Sequence, residues 1–416
     1  MFRLLSFSGH WLVGALATLL FSPPAMALTL DQALALAERE APSLTAQAAK
    51  VQAARHATVP AGELPDPKLT LGVQNLPAEG DDLGRFDRDS MTMQMIGLMQ
   101  EVPSRAKRRA RVEVAEAGVL SAAAQERVER LRVRRQTALA WIAALAVEQK
   151  LALFATLYVE NDLLVKAVRA SIAGGRGQPA DSVTPRQEAA LLAEAEDQLL
   201  QSRAQQRAAL RRWIGPRAEE ALSGRLPNWP VDAEHYRHSL QRHPELALFA
   251  PMTEAAQAEV SEAVADKQSD WSWEVAYQKR DPAFGDMVSL QVSVDLPLFQ
   301  DARQTPRIAA KQAMLSQLQA EREAAEREHA QQLADDLAEY QRFDRALRRS
   351  QTLLLPLAEE KVALTLAGYR SGASELASVI AARRELIETR LKHIDFEQGR
   401  ASASARLHFV YEEVSP

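Results

Sequence analysis

The sequence predicts a mainly α-helical chain with a transmembrane β-barrel portion, built from two tandem structural repeats that each carry long coiled-coil helices and two β-strands. Residues 288–296 alternate between apolar and polar side chains, the period of a strand with one apolar and one wet face. Residues 304–367 contain no glycine, and at about 1.5 Å per residue such a helix spans roughly 95–100 Å. A globular core cannot cover a helix of that length, so it must line a coiled coil, a fibre or a tube.

The same order of segments occurs twice. Residues 68–74 (KLTLGVQ) correspond to 271–278 (WSWEVAYQ), and residues 91–95 before Pro103 correspond to 288–296 before Pro297. Such an internal repeat defines the architecture before any single motif is weighed. The predicted boundaries are a signal peptide at 1–27, a first repeat at 28–215 (strands about 67–75 and 91–99, long helix about 104–173), a linker at 216–230, and a second repeat at 231–413 (strands about 270–278 and 288–296, long helix about 303–368).

The N-terminus predicts export. Arg3, an apolar run over residues 11–21 and the small-x-small sequence Ala25-Met26-Ala27 form a secretory signal peptide, cut after Ala27. The chain has no cysteine, which excludes both a disulfide framework and lipidation through cysteine. Beyond the signal peptide we expect no helix apolar enough to span a membrane.

Composition and motifs exclude other classes of function. The formal net charge of −5 opposes nucleic-acid binding, which needs a basic excess. No nucleophile elbow, phosphate loop or metal-ligand spacing is visible, and His235 and His238 stand three apart without further ligands. We therefore predict no enzyme, no cofactor and no metal site.

The four predicted strands are long enough to cross a bilayer when tilted. Four strands cannot close a useful barrel, and open sheet edges are forbidden in hydrocarbon because each unpaired backbone group costs several kcal/mol. The chain must then oligomerise to close the sheet; a pair of soluble hairpins is the alternative. Four methionines at strand spacing are expected to face one way and to pack against lipid or within the barrel, rather than to bind a soft metal: Met91, Met93, Met95 and Met99.

The long helices carry coiled-coil spacing and one expected break. Heptad positions are occupied by Leu131, Ala138 and Leu145 in the first repeat and by Leu333, Tyr340, Leu347 and Leu354 in the second. Pro356 is expected to kink the second long helix. Glycine-containing turns at 174–177 and 369–372 reverse each long helix into its return helix.

With these features the chain resembles the TolC-like outer-membrane efflux channel family over essentially all of its mature length. Shorter stretches are similar to the CzcC-like heavy-metal efflux branch: residues 65–69 (PDPKL), 94–103 (QMIGLMQEVP), the basic run 107–111 and 296–299 (LPLF). The resemblance implies a homotrimer forming an α/β barrel tunnel: a twelve-stranded barrel in the outer membrane of a Gram-negative cell and a helical tunnel across the periplasm. It further implies a periplasmic adaptor (membrane fusion) protein, an inner-membrane resistance-nodulation-division (RND) pump and heavy-metal cations as cargo.

The resemblance also assigns residues at the tunnel tip. The turns place Gly175, Gly177, Ser371 and Gly372 where the family's adaptor docks. Family members carry Asp six residues after the glycine of the first tip turn, and this position is Asp181 here. The positions that are acidic in the family after the second tip turn hold Ser378 and Ala381 in this chain. Tyr369 matches an aperture tyrosine, and Glu375 stands nearby. For Asp181 and Glu375 the alternative to a pore ring is a helix N-terminal cap.

Two further functions compete with the metal channel. The same channel could serve drugs or type I polypeptide secretion. A periplasmic coiled-coil adaptor or structural protein is the alternative from another class, but an adaptor would carry one helical hairpin rather than two hairpins and two strand pairs.

Overall fold

The computed structural model describes residues 27–175 and 177–411, so the predicted signal peptide lies outside the described residues apart from Ala27. The helices are α1 Leu30–Glu40, α2 Pro42–Ala61, α3 Arg105–Ala173, α4 Thr184–Ile214, α5 Ala233–His238, α6 Pro244–Ala247, α7 Phe249–Ala265, α8 Gln304–Arg349, α9 Leu355–Ser371 and α10 Leu376–Tyr411. The strands are β1 Lys68–Gln74, β2 Met93–Val102, β3 Trp271–Lys279 and β4 Met287–Val294.

The chain enters the fold through a capped helix. The Thr29 side chain accepts the Gln32 amide N–H, and the Gln32 side chain accepts the Thr29 N–H in return, which satisfies two donors that the helix itself cannot. The sequence pattern predicts helix from residue 31 to about 58, and the structure is helical there except at one residue, Ala41. Pro42 restricts the preceding residue, so Ala41 takes an extended conformation and separates α1 from α2.

The four strands form one antiparallel sheet in the order β1-β2-β3-β4. The two hairpins join through β2 and β3, with Leu98 opposite Val275 and Val102 opposite Trp271. One strand pair from each repeat therefore contributes to a single sheet, although far apart in the chain.

The first long helix is continuous and the second is not. Helix α3 has 69 residues, or about 100 Å, and begins at Ser104, whose side chain accepts the Lys107 N–H. The segment predicted as a long helix over about 303–368 is helical throughout, but a π turn at Ser350–Leu354 separates α8 from α9. The Leu355 N–H bonds to the Ser350 carbonyl, five residues back, just before the expected break at Pro356.

The helical core is centred on Trp141 of α3, which is buried and donates its indole N–H to the Leu28 carbonyl at 3.3 Å. Around it pack side chains from α1, α4, α10 and the inter-repeat segment, including Leu34, Leu210, Ile214, Ala218 and Phe409. At the heptad positions Ala138, Leu145, Leu333 and Leu347 are buried, whereas Leu354 is exposed.

Helix α3 also corrects the expectation that no helix could span a membrane. Within the described residues it alone contains an eighteen-residue window apolar enough to do so, with a mean hydropathy of 1.5. Half of that window is buried inside the chain's own helices. A core helix passes the same test of length and composition, and the burial of Trp141, Ile142 and Leu145 is what such a core helix shows.

Candidate functional site

The sheet has an exposed apolar face. On the central strands this face presents Ile96, Leu98, Val275 and Tyr277, which lie opposite one another in the register. The edge strands extend it with Leu69, Leu71 and Val73 on β1 and Val288, Leu290, Val292 and Val294 on β4. These side chains are open to the surroundings, with Leu71 exposed by 68% and Leu290 by 72%.

The opposite face is polar and better covered. Ala276 is exposed by only 3% and Gln278 by 7%, and the Gln278 amide donates to the Ser289 hydroxyl at 2.6 Å. Gly97 lies on this face against Glu274, where an added Cβ would come within 2.8 Å of the carboxylate. A sheet in a water-soluble protein buries its apolar face and exposes the polar one, and here the order is reversed.

The methionines of β2 face one way, as expected, and lie on the polar face. Met93, Met95 and Met99 alternate with Ile96 and Leu98, and so share the polar face with Gly97. Gln74 donates to the Met95 sulfur at 3.5 Å. Of the two expected environments, lipid and the barrel, this placement favours the barrel side for these three, and Met91 precedes the strand.

The two edges of the sheet present unpaired backbone. Across the described residues, β1 pairs only with β2, and β4 only with β3. Every residue of β4 is exposed, so neither a helix nor a loop covers that edge. A long, flat, apolar edge of this kind is a template for pairing with another chain.

The junction between the sheet and the first long helix is held by one carboxylate. Asp270, next to β3, accepts the Ser104 N–H at 2.8 Å and the Lys107 ammonium at 2.7 Å. Asp266 lies 3.7 Å from the same ammonium. Two basic residues of the run at 107–111 also have partners, since Arg109 pairs with Glu113 and Arg111 with Glu262.

The first tip turn connects α3 to α4. Gly175 has a φ of +73°, a conformation that favours glycine, and its N–H bonds to the Ile172 carbonyl. Gly177 packs closely, since an added Cβ would lie 3.1 Å from the Ile172 side chain. Asp181 caps a 3₁₀ turn over Pro179–Ser182, because its carboxylate accepts the Gln178 N–H at 2.9 Å. Asp181 is thus the third residue of this turn, with Gln178 at the N-cap position, and its side chain is half-buried.

The second tip turn connects α9 to α10. Gly372 has a φ of +79° and ends α9 in the left-handed conformation, with its N–H bonded to the Tyr369 carbonyl. Ser371 is exposed and donates its hydroxyl to the Gly368 carbonyl at 3.0 Å. Glu375 is exposed directly before α10, and its carbonyl accepts the Ser378 N–H.

A small apolar cluster brings the two tip turns to the same end of the molecule. Leu164 and Val168 of α3 pack with Leu376 and Ile380 of α10, and the Tyr369 ring packs against this cluster. The sequence-predicted tip residues therefore share one end, although Tyr369 contributes to packing within the chain as well.

A group of metal-ligating side chains lies elsewhere, and sequence analysis missed it. One potential ligand atom from each of His243, Glu245 and His329 lies within 4.8 Å of the other two. His243 is buried, and this burial together with the His329 and Arg135 charges lowers its pKa to about 3. In the sequence, two residues at 243 and 245 are too few to indicate a metal site. His329 of α8 joins them only in the folded chain.

Comparisons with known proteins agree with this architecture. The model of the family described as outer membrane efflux protein (OEP) matches residues 236–411. No curated protein sequence matches the chain significantly.

Solved structures match nearly the full chain. A membrane protein from Pseudomonas aeruginosa has a TM-score of 0.79 and 17% identity, with 92% of each chain covered. CusC, described with transmembrane channel formation, has a TM-score of 0.77 and 15% identity over 92% of this chain and 91% of its own. The outer membrane protein VceC from Vibrio cholerae has a TM-score of 0.75 and 17% identity over 92% and 95%. The chain therefore has the two-repeat fold of these outer-membrane channel structures.

Proposed function

We propose that this chain is the outer-membrane channel of a tripartite efflux system, and that it works as a homotrimer with a periplasmic adaptor protein and an inner-membrane RND pump. The observation that carries the proposal is the reversed sheet: an exposed apolar face, a polar face that is covered at its central strands, and two open edges. The family match over residues 236–411 supports the same assignment.

The reversed sheet requires both lipid and further copies of the chain. In water, the exposed apolar face would be an aggregation liability. In a bilayer that face is solvated by lipid, but the backbone of β1 and β4 must then be paired. Three copies joined edge to edge give a closed barrel of twelve strands, with β4 of each chain pairing with β1 of the next. We propose that residues 28–215 and 231–413 are the two repeats of this unit, linked by 216–230, and that the signal peptide is removed after Ala27 for export to the outer membrane.

Helix α3 would then extend the channel wall beyond the membrane. Its roughly 100 Å exceed the thickness of a bilayer several times over. With α4, α8, α9 and α10 it would form the wall of a periplasmic tunnel, whose narrow end is the pair of tip turns.

The tip is the proposed gate and docking surface. Asp181, Tyr369 and Glu375 are the proposed constriction, and the adaptor would contact Gly175, Gly177, Ser371 and Gly372. A ring of three Asp181 carboxylates would attract cations to the aperture. The conduction itself is passive, because the pump supplies the energy and no reaction is proposed for this chain.

Heavy-metal cations are the proposed cargo, on the resemblance of residues 65–69, 94–103 and 296–299 to the heavy-metal branch. A deletion strain sensitive to metals would support this cargo. Sensitivity to drugs alone, or loss of a secreted polypeptide, would assign the same channel to the alternative cargo.

Edge-to-edge closure can be tested with engineered disulfides, since the chain has no cysteine of its own. We expect Thr70→Cys on β1, combined in turn with Ser289→Cys, Gln291→Cys or Ser293→Cys on β4, to give a covalent trimer in outer-membrane fractions for at least one pair. The control combines Thr70→Cys with Glu274→Cys on the inner strand β3, which should give no product larger than a monomer. Failure of every edge pair to cross-link between chains, in protein that reaches the outer membrane, would contradict the proposal.

A further inference from the structure

Three side chains from two separate segments converge beside the helical core. His243 precedes α6, Glu245 lies within it, and His329 lies on the long helix α8. The His329 Nε2 atom lies 3.3 Å from the Glu245 Oε2 atom. The rings of His243 and His329 are in contact at a tilt, with their centroids 3.8 Å apart and their planes inclined by 32°.

These distances are close to those of ligands around one metal ion. With metal–nitrogen and metal–oxygen bonds of about 2.0–2.2 Å, tetrahedral ligands lie roughly 3.3–3.5 Å from one another. The His329–Glu245 pair already has this separation. The third ligand atom is within 4.8 Å, so only a small approach of His243 is needed.

The chemistry of the donors suits a borderline metal. Two imidazoles and one carboxylate are ligands for Zn²⁺ and its neighbours, whereas Mg²⁺ and Ca²⁺ prefer all-oxygen sites. Arg135 lines the same small pocket as His243 and Glu245, and its positive charge opposes a cation there.

We propose that His243, Glu245 and His329 form a resident site for a divalent transition-metal ion of the Zn²⁺ class, with the fourth position open to water. The ion would fasten α6 to α8 and so hold the start of the second repeat against its own long helix. Coordination through Nδ1 of His243 would replace the bond that this atom now accepts from the Glu245 N–H at 3.2 Å. The site is independent of the cargo and of assembly into a channel.

The site should bind one Zn²⁺ per chain. Full-length protein in detergent, freed of metal by dialysis against chelator, would be titrated with Zn²⁺ by calorimetry and with Co²⁺ by visible absorption. We expect one equivalent per chain, tetrahedral Co²⁺ bands that Zn²⁺ abolishes, and no effect of Mg²⁺. His329→Gln and, separately, Glu245→Gln should weaken Zn²⁺ binding at least tenfold and remove the Co²⁺ bands.

The matched control is His235→Gln, which removes an exposed histidine of α5 outside the cluster and should leave both signals unchanged. Equal binding by the wild type and both cluster variants, or octahedral Co²⁺ spectra only, would overturn the site. Circular dichroism and trimer migration of the same samples establish that each variant is folded. These controls also separate failure of the site from failure of the proposed channel, because trimer formation is measured without metal.

Discussion

Lysine at position 290 should be tolerated in water and costly in lipid. Leu290 lies in the middle of β4 on the exposed apolar face and is 72% exposed in the single chain. If that face were solvated by water, Leu290→Lys would change the free energy of unfolding by no more than about 0.5 kcal/mol. If the face is solvated by hydrocarbon, a lysine near the bilayer midplane costs about 2–4 kcal/mol.

The expected loss is large enough to measure. A cost of about 2–4 kcal/mol per chain lowers the folded-to-unfolded ratio roughly 30- to 700-fold, since each 1.4 kcal/mol is about tenfold. Gln291→Lys is the matched control, because it places the same charge one residue further, on the polar face. Its cross-strand partner is Glu274, and an opposite-charge pair there adds about 0.2–1 kcal/mol of stability.

Folding into lipid vesicles from urea provides the assay, with the folded fraction read from heat-modifiable migration on gels. We expect the Leu290→Lys midpoint to fall clearly and the Gln291→Lys midpoint to stay near that of the wild type. Equal midpoints for Leu290→Lys and the wild type would refute the assignment of this face to lipid. A loss confined to Gln291→Lys would show that the two faces had been assigned the wrong way round.

Three further predictions concern the tips and the buried histidine. Gly372→Ala should destabilise the chain by about 1–2 kcal/mol in urea unfolding, because alanine disfavours the left-handed conformation that Gly372 adopts. The control Gly118→Ala, within α3, should stabilise the chain by up to about 1 kcal/mol. Equal effects of the two substitutions would contradict this prediction. Asp181→Asn should reduce cation selectivity in bilayer recordings with little change in conductance, since it removes the charge of the proposed ring. Unchanged selectivity would leave Asp181 with only its hydrogen bond to the Gln178 N–H. For metal-free protein, the folded-state pKa of His243 lies at about 3, below the unfolded value near 6.5, so the unfolded state binds the proton more readily. Stability should then fall by up to about 1.4 kcal/mol per pH unit as pH drops from 6.5 toward 3, and His243→Asn should flatten this part of the profile; an unaltered slope would contradict a buried neutral ring.

The features that repeat along the chain could be predicted from the sequence. Alternation at residues 288–296 identifies the apolar face that the structure leaves exposed, because side chains of a strand change sides at every residue. The absence of proline along 104–173, where Gly118 is the single glycine, likewise indicates the continuous helix α3. These two patterns alone, without any family resemblance, lead to the expectation that further copies of the chain pair with the open edges of the sheet.

The errors arose where a local pattern did not decide the outcome. Alternation correctly places the three strand methionines on one side and leaves open which side that is; their placement opposite to Ile96 and Leu98 decides it. Pro356 marked a break in the second long helix, but the loss of its N–H is accommodated by the π turn preceding it. Pro42 was read through as part of a helix, although it breaks that helix at Ala41.

The histidine cluster lay beyond any sequence pattern. His243 and His329 are separated by a hairpin and much of a long helix, and neither has another ligand at a recognisable spacing on its own segment except Glu245. Only packing of α8 beside α6 brings the two rings together. The tip residues are only partly predictable from the sequence. The turns are recognisable from their glycines, whereas the direction in which Asp181 faces relative to a pore depends on neighbouring chains.

The mass of the purified mature protein tests the central claim most directly. Multi-angle light scattering in detergent should give three chains per particle, and removal of the detergent should precipitate the protein. A monodisperse particle of one chain, stable in buffer without detergent or lipid, would contradict both the lipid-facing sheet and the channel built from it.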